Sequence, residues 1–142
     1  MERVALNKYF YLDEYIPKEL YKRFQKKPHI LIGLLDVRLL NSDFLLREKF
    51  GPITINNWWN GGNRNWSGLR TLDSPYYSPT SQHSFGRASD KIFHSATVGE
   101  VREDIKEYWE EYGIMCIEEN VTWIHSDVRL WKDGAELLIV YP

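Results

Sequence analysis

Apolar positions along the chain fall into recurring patterns, and each pattern predicts an element. Val98, Val101, Ile105, Trp109 and Tyr112 form one helical stripe. Thr97-Val98-Gly99-Glu100 has the spacing of a capping box at its start, and Gly113 supplies a C-terminal stop. Val37, Leu40 and Phe44, at i, i+3 and i+7, predict an amphipathic helix from about Asp36 to Phe50 that stops at Gly51-Pro52. A shorter helix is expected from Lys18 to Lys27, between Pro17 and Pro28. Strands are expected at Ile53 to Ile55, Ile114 to Ile117, Val121 to Leu130 and Glu136 to Tyr141, the last two joined through a tight hairpin turn at Lys132-Asp133-Gly134. From Asn56 to Ser95 the chain has no such period and is rich in Asn, Gly, Ser and Pro, which predicts a long irregular segment carrying the site. The expected fold is α+β, a small antiparallel sheet packed by helices.

Composition narrows the class. The chain has 142 residues, one domain's worth of core, so residues 1–142 are read as a single domain. Within it, 1–35 form an N-terminal extension, 36–130 the motif-bearing core and 131–142 a C-terminal strand. With 43% hydrophobic and 27% charged residues, a wholly disordered chain is excluded. A net charge of −2 gives no electrostatic reason to expect nucleic acid or an anionic membrane as partner. The longest apolar run, Ile30 to Leu35, is far shorter than the roughly 20 residues of a membrane span, and the N-terminus lacks a signal-peptide core. A soluble protein made in the cytoplasm is expected. Cys116, between Met115 and Ile117, is expected to be a buried strand thiol without a role.

Candidate chemistry lies in two segments. In Ser81-Gln82-His83-Ser84-Phe85-Gly86-Arg87-Ala88-Ser89-Asp90, small residues between His83 and Asp90 let an imidazole and a carboxylate converge on one metal ion. In Ile124-His125-Ser126-Asp127-Val128-Arg129, strand alternation puts His125, Asp127 and Arg129 on one face. Two nitrogens and one carboxylate oxygen leave a fourth tetrahedral position open, as catalytic zinc sites do. Taken singly, each histidine is more often an ordinary surface or core group. Three tryptophans, Trp58, Trp59 and Trp66, crowd one loop; they suit either an aromatic wall over a ligand or closure of a core or subunit contact.

The first segment resembles the Ser-x-His-x-x-Gly-x-Ala-x-Asp motif of the zinc D-alanyl-D-alanine carboxypeptidase family, which includes D-Ala-D-Ala dipeptidases and phage L-alanyl-D-glutamate endolysins and has a Hedgehog-related fold. Every fixed position is present, from Ser81 to Asp90. The second segment is similar to the His-x-Asp-Val-Arg strand of phage members, and Ser67-Gly68-Leu69-Arg70 resembles the family's Ser-Gly-Tyr-Arg turn, with Leu69 in place of tyrosine. The resemblance covers about Asp36 to Arg129.

What the resemblance implies is a zinc metallopeptidase with one Zn2+ per chain, held by His83, Asp90 and His125. Arg70 matches the arginine that supports the substrate or its oxyanion, and Ser81 a pocket serine, although a turn-capping serine is equally ordinary. His29 and His94 match no fixed position and are read as structural. The glutamate or aspartate that serves as general base three residues before the last histidine is replaced by Thr122. Asp127 is the first choice to replace it, on the strand face of His125; Glu118 or Glu119 is the alternative, and orienting Arg129 or Arg70 is the other reading of Asp127. Trp58, Trp59, Trp66 and the neighbouring Asn side chains would line the substrate. The implied substrate is a peptidoglycan stem peptide, cleaved by a carboxypeptidase-like or endolysin-like hydrolase of a bacteriophage, virion-associated or released to the cell wall. The alternatives are a non-catalytic virion structural protein with virion or homo-oligomer partners, and a Hedgehog-like binding domain.

Overall fold

The computed structural model describes residues 2–130 and 136–142. Four helices form where caps and prolines direct: α1 (Lys18–Phe24), α2 (Pro28–Ile32), α3 (Val37–Phe50) and α4 (Val98–Tyr112). Asp36 caps α3 by accepting from the Arg38 N–H, and the Gly51 N–H closes it on the Arg47 carbonyl. The Thr97/Glu100 capping box of α4 is reciprocal, and Gly113 ends that helix at φ 70°. The helix expected to run to Lys27 stops at Phe24, because Pro28 opens α2 instead.

Five strands form one sheet in the order β1-β2-β4-β3-β5: β1 (Ile53–Thr54), β2 (Ala88–Phe93), β3 (Cys116–Glu118), β4 (Ile124–Asp127) and β5 (Leu138–Val140). The α+β class holds, but the sheet is mixed, since β5 runs parallel to β3. The expected pairing of the last two strands is therefore corrected: β5 adds to the far side of β3, not to β4. The turn assigned to Lys132-Asp133-Gly134 lies outside the described residues.

β2 is the strand that the sequence pattern missed. Its residues alternate Ser89 and Lys91 with Asp90, so both faces read as polar, yet Ala88 to Lys91 are all buried. The reason is a buried polar network between β2 and α3. Lys91 Nζ lies 3.1 Å from Asp43 Oδ1 and donates to the Ser89 carbonyl, Ser89 Oγ and Ser126 Oγ. Asp43 Oδ2 accepts from Tyr15 Oη and Ser89 Oγ, each at 2.8 Å. The same network turns α3: Leu39, Ser42, Asp43 and Leu46 face inward, while Val37, expected on the buried stripe, is 64% exposed.

With Ser89, Lys91 and Ser126 facing α3, alternation leaves Asp90, His125 and Asp127 on the other face. One core joins these layers: Phe10, Leu12, Tyr15 and Leu31 pack in the same cluster as Leu46, Ile105, Ile117 and Val128, so the N-terminal 35 residues are integral to it. Among the described residues no helix is long and apolar enough to cross a membrane.

Candidate metal centre

Three antiparallel strands place the site. In the β2–β4 register Asp90 stands opposite His125, and one further step of the β3–β4 register puts Glu118 opposite His125 on its other side. Glu118, His125 and Asp90 thus form a row across one sheet face. His83 is brought to this row by the 3₁₀ turn Gln82–Phe85, capped by Ser81 Oγ and ended by Gly86 at φ 67°. A Cβ on Gly86 would stand 2.0 Å from the Leu34 carbonyl oxygen, and one on Gly68 2.4 Å from that of Tyr15. Both glycines are thus required where the turn and the Ser67–Arg70 segment press on the N-terminal region.

His83, Asp90 and His125 are buried and offer ligand atoms within 4.8 Å of one another. His83 Nδ1 donates to the Gly68 carbonyl at 2.8 Å, which leaves Nε2 facing Asp90 Oδ1 at 3.3 Å. His125 is arranged in mirror fashion: Nε2 meets Asp127 Oδ2 at 2.8 Å, and Nδ1 faces Asp90 Oδ1 at 2.9 Å. Each imidazole therefore has its outer nitrogen fixed by a protein acceptor and its inner nitrogen aimed at the same carboxylate oxygen. Such outer-nitrogen acceptors are what orient histidine ligands in metal sites. The donor set of two nitrogens and one oxygen fits zinc with a position left open.

Burial and neighbouring charges shift the four titratable groups His83, His125, Asp90 and Asp127. Burial depresses the His83 pKa, and Asp90 only partly opposes it. Burial also disfavours charge on His125, but hydrogen bonds to Asp127 and Asp90 outweigh it and push its pKa up to about 9. Burial raises the Asp90 pKa, yet the two histidines hold its carboxyl far below the usual carboxylate range. Asp127 likewise is brought down to about 2 against its burial, chiefly by Arg129 and then by His125.

Asp127 shares the sheet face of His125 but does not line the cleft. It is fully buried behind the His125 ring and gripped by Arg129 through Nε and Nη2, both at 2.8 Å. It touches the nitrogen of His125 that points away from the centre, the placement expected of a carboxylate that orients Arg129 and not of one within reach of a metal-bound water. Of the two glutamates, Glu118 has Oε1 3.8 Å from His125 Nδ1, whereas Glu119 is committed to Lys106 at 2.7 Å and Arg102 at 3.8 Å. Thr122 is exposed in the loop before β4.

A cleft of about 660 Å³ opens over the row, lined by His83, Asp90, His125 and Glu118, and by Ser81, Arg70 and Trp66 among the expected residues. Ser81 Oγ also accepts from the His83 N–H, so it caps the turn as well as lining the cleft. Arg70 Nη2 holds Asp90 Oδ2 at 3.1 Å and its Nε holds the Trp66 carbonyl at 2.8 Å. Trp58 and Trp59 do not line the cleft and are corrected to packing residues: Trp58 donates to the Ile16 carbonyl, and both rings pack on Tyr21. Three of the loop asparagines hold backbone, Asn56 the Ser67 N–H, Asn57 the Arg64 N–H and Asn65 the Lys18 N–H, while Asn63 and Asn65 also border the cleft. His94 meets Thr54 Oγ1 at 2.7 Å and is not a lining residue, and His29 is exposed on α2.

Trp123, Tyr76 and Arg64 line the cleft although no pattern singled them out. For Trp123 a signal existed, since it stands two residues before His125. Comparison with family models, curated proteins and solved structures finds no match.

Proposed function

We propose that the chain is a zinc-dependent peptidase acting on peptidoglycan stem peptides, of the carboxypeptidase-like or endolysin-like kind that its motifs resemble. The observation that carries this reading is the convergence of His83 Nε2, His125 Nδ1 and Asp90 Oδ1, with both outer imidazole nitrogens already tied, beneath an open cleft. When bound there, zinc lowers the pKa of a water towards about 7 and polarises a carbonyl. Glu118, a quarter exposed in the cleft beside His125, takes the proton of the attacking water and returns it to the leaving amine. Asp127 and Arg129 keep the His125 Nε2–H in place, so that Nδ1 is the nitrogen turned towards the ion's position. Arg70 steadies Asp90 and presents the remainder of its guanidinium to the substrate carboxylate or the developing oxyanion.

Purified murein of several chemotypes, incubated with the protein with and without chelator, tests the activity. Chelator-sensitive release of peptide or amino acid is the expected result. Zinc binding with no product from any substrate would favour the structural alternative, which Thr122 at the usual base position motivates.

A further inference from the structure

The cleft holds three arginines, and they are not equivalent. Arg70 is paired with Asp90 and Arg129 with Asp127. Arg64 has no carboxylate within ion-pair distance among the described residues, although it is only partly exposed. Its backbone is locked into a closed loop. Asn57 Oδ1 accepts from the Arg64 N–H at 2.8 Å, the Asn57 N–H donates to the Arg64 carbonyl at 3.1 Å, and the Asn57 carbonyl takes the Gly62 N–H at 3.0 Å. Trp58 anchors this loop in the core. The side chain is fixed as well: Arg64 Nε donates to the Ile55 carbonyl at 2.9 Å, while Nη1 and Nη2 have no hydrogen-bond partner among the described residues. A half-covered guanidinium held by its Nε and left with two unfilled donor groups is prearranged for an anion, because a partly desolvated charge gains most from a paired acceptor.

We propose that Arg64 is the receptor for a second substrate carboxylate, distinct from any group held at Arg70, so that the preferred ligand is an acidic peptide. This deepens the peptidase reading and rests on it only for the word substrate. The anionic group is a carboxylate from either an acidic side chain or a chain end, seated at the Asn63–Trp66 wall of the cleft.

Binding calorimetry with three peptides tests this: N-acetyl-Ala-Glu-Ala amide, its Gln counterpart, and the Gln peptide with a free C-terminus, with the central residue made in either enantiomer. Native protein should bind one acid-bearing peptide about 10-fold or more tighter than the neutral one, as loss of a charge-assisted pair implies. Which acid is preferred identifies the carboxylate's source. Arg64→Gln should reduce the preference to about 2-fold or less with its melting temperature near native, and Arg64→Lys should retain an intermediate preference because charge persists without the fork. On unmodified protein, rising succinate should weaken the acidic peptide's binding and leave the neutral peptide's unchanged. His83→Ala should keep the acidic preference even where zinc is lost, which separates this site from the metal reading. Equal binding of all three peptides by native protein, no binding of any of them, or full preference retained in Arg64→Gln would overturn the assignment.

Discussion

Besides Asp90, two carboxylates flank His125, and their surroundings give them different work. Glu118 borders the cleft and, among the described residues, has no cation committed to it at hydrogen-bond range; Asp127 is buried and held by both Arg129 and His125. Glu118→Gln should therefore keep stoichiometric zinc and lower turnover by about 10²- to 10⁴-fold, as loss of a general base does. Asp127→Asn should weaken zinc affinity by about 10- to 100-fold, the usual effect of losing a histidine's outer acceptor. Metal titrations and rates on both variants decide the matter, and the reverse ranking would return the base to Asp127. A third carboxylate, Glu14, lies far from this chemistry. Burial pushes its pKa up to about 7 against a usual 4.5, in spite of the Tyr11 N–H it accepts. The folded state thus binds a proton more tightly than the unfolded one, and the stability this confers is complete below 4.5 and lost as pH rises through about 7. Glu14→Gln should melt close to native near pH 4 and progressively above it towards pH 8. A difference that does not change with pH would remove Glu14 as a source of pH-dependent stability.

At the scale of elements, β2 carries the candidate ligand Asp90 on one face and the buried Lys91 on the other. Lys91 and Asp43 are both fully buried, so removing one partner strands a charge. Lys91→Met should cost about 3–5 kcal/mol in urea unfolding, and adding Asp43→Asn should recover part of that loss. A cost below about 1 kcal/mol for the single change would contradict a stabilising role for this buried pair. This network also explains what sequence patterns reveal and conceal. The capped ends of α3 and α4 are local chemistry, and Asp36, Thr97, Glu100 and Gly113 announce them directly. The inward face of α3 and the whole of β2 depend on Asp43 meeting Lys91 across 48 positions of chain, so a hydrophobicity period assigns Val37 to the core and overlooks the strand. The residues of the centre were legible through the motif spacing of His83, Asp90 and His125. The separation of Glu118 from Asp127 was not, because it needs the antiparallel β3–β4 register.

For the whole molecule, the centre joins segments that are distant in the chain: the turn bearing His83, β2 bearing Asp90 and β4 bearing His125. A ligand that binds only this folded arrangement stabilises it in proportion to the logarithm of its free concentration. Zinc at about 100 times its dissociation constant should add about 2.7 kcal/mol, and chelation should remove it. Metal content is the most direct measure of this centre. Protein purified without chelator, then dialysed and analysed for metals, should carry about one zinc per chain, and His83→Ala and His125→Ala should each carry almost none while remaining folded. Native protein that takes up no zinc, or stoichiometric zinc retained in both variants, would contradict the metal centre.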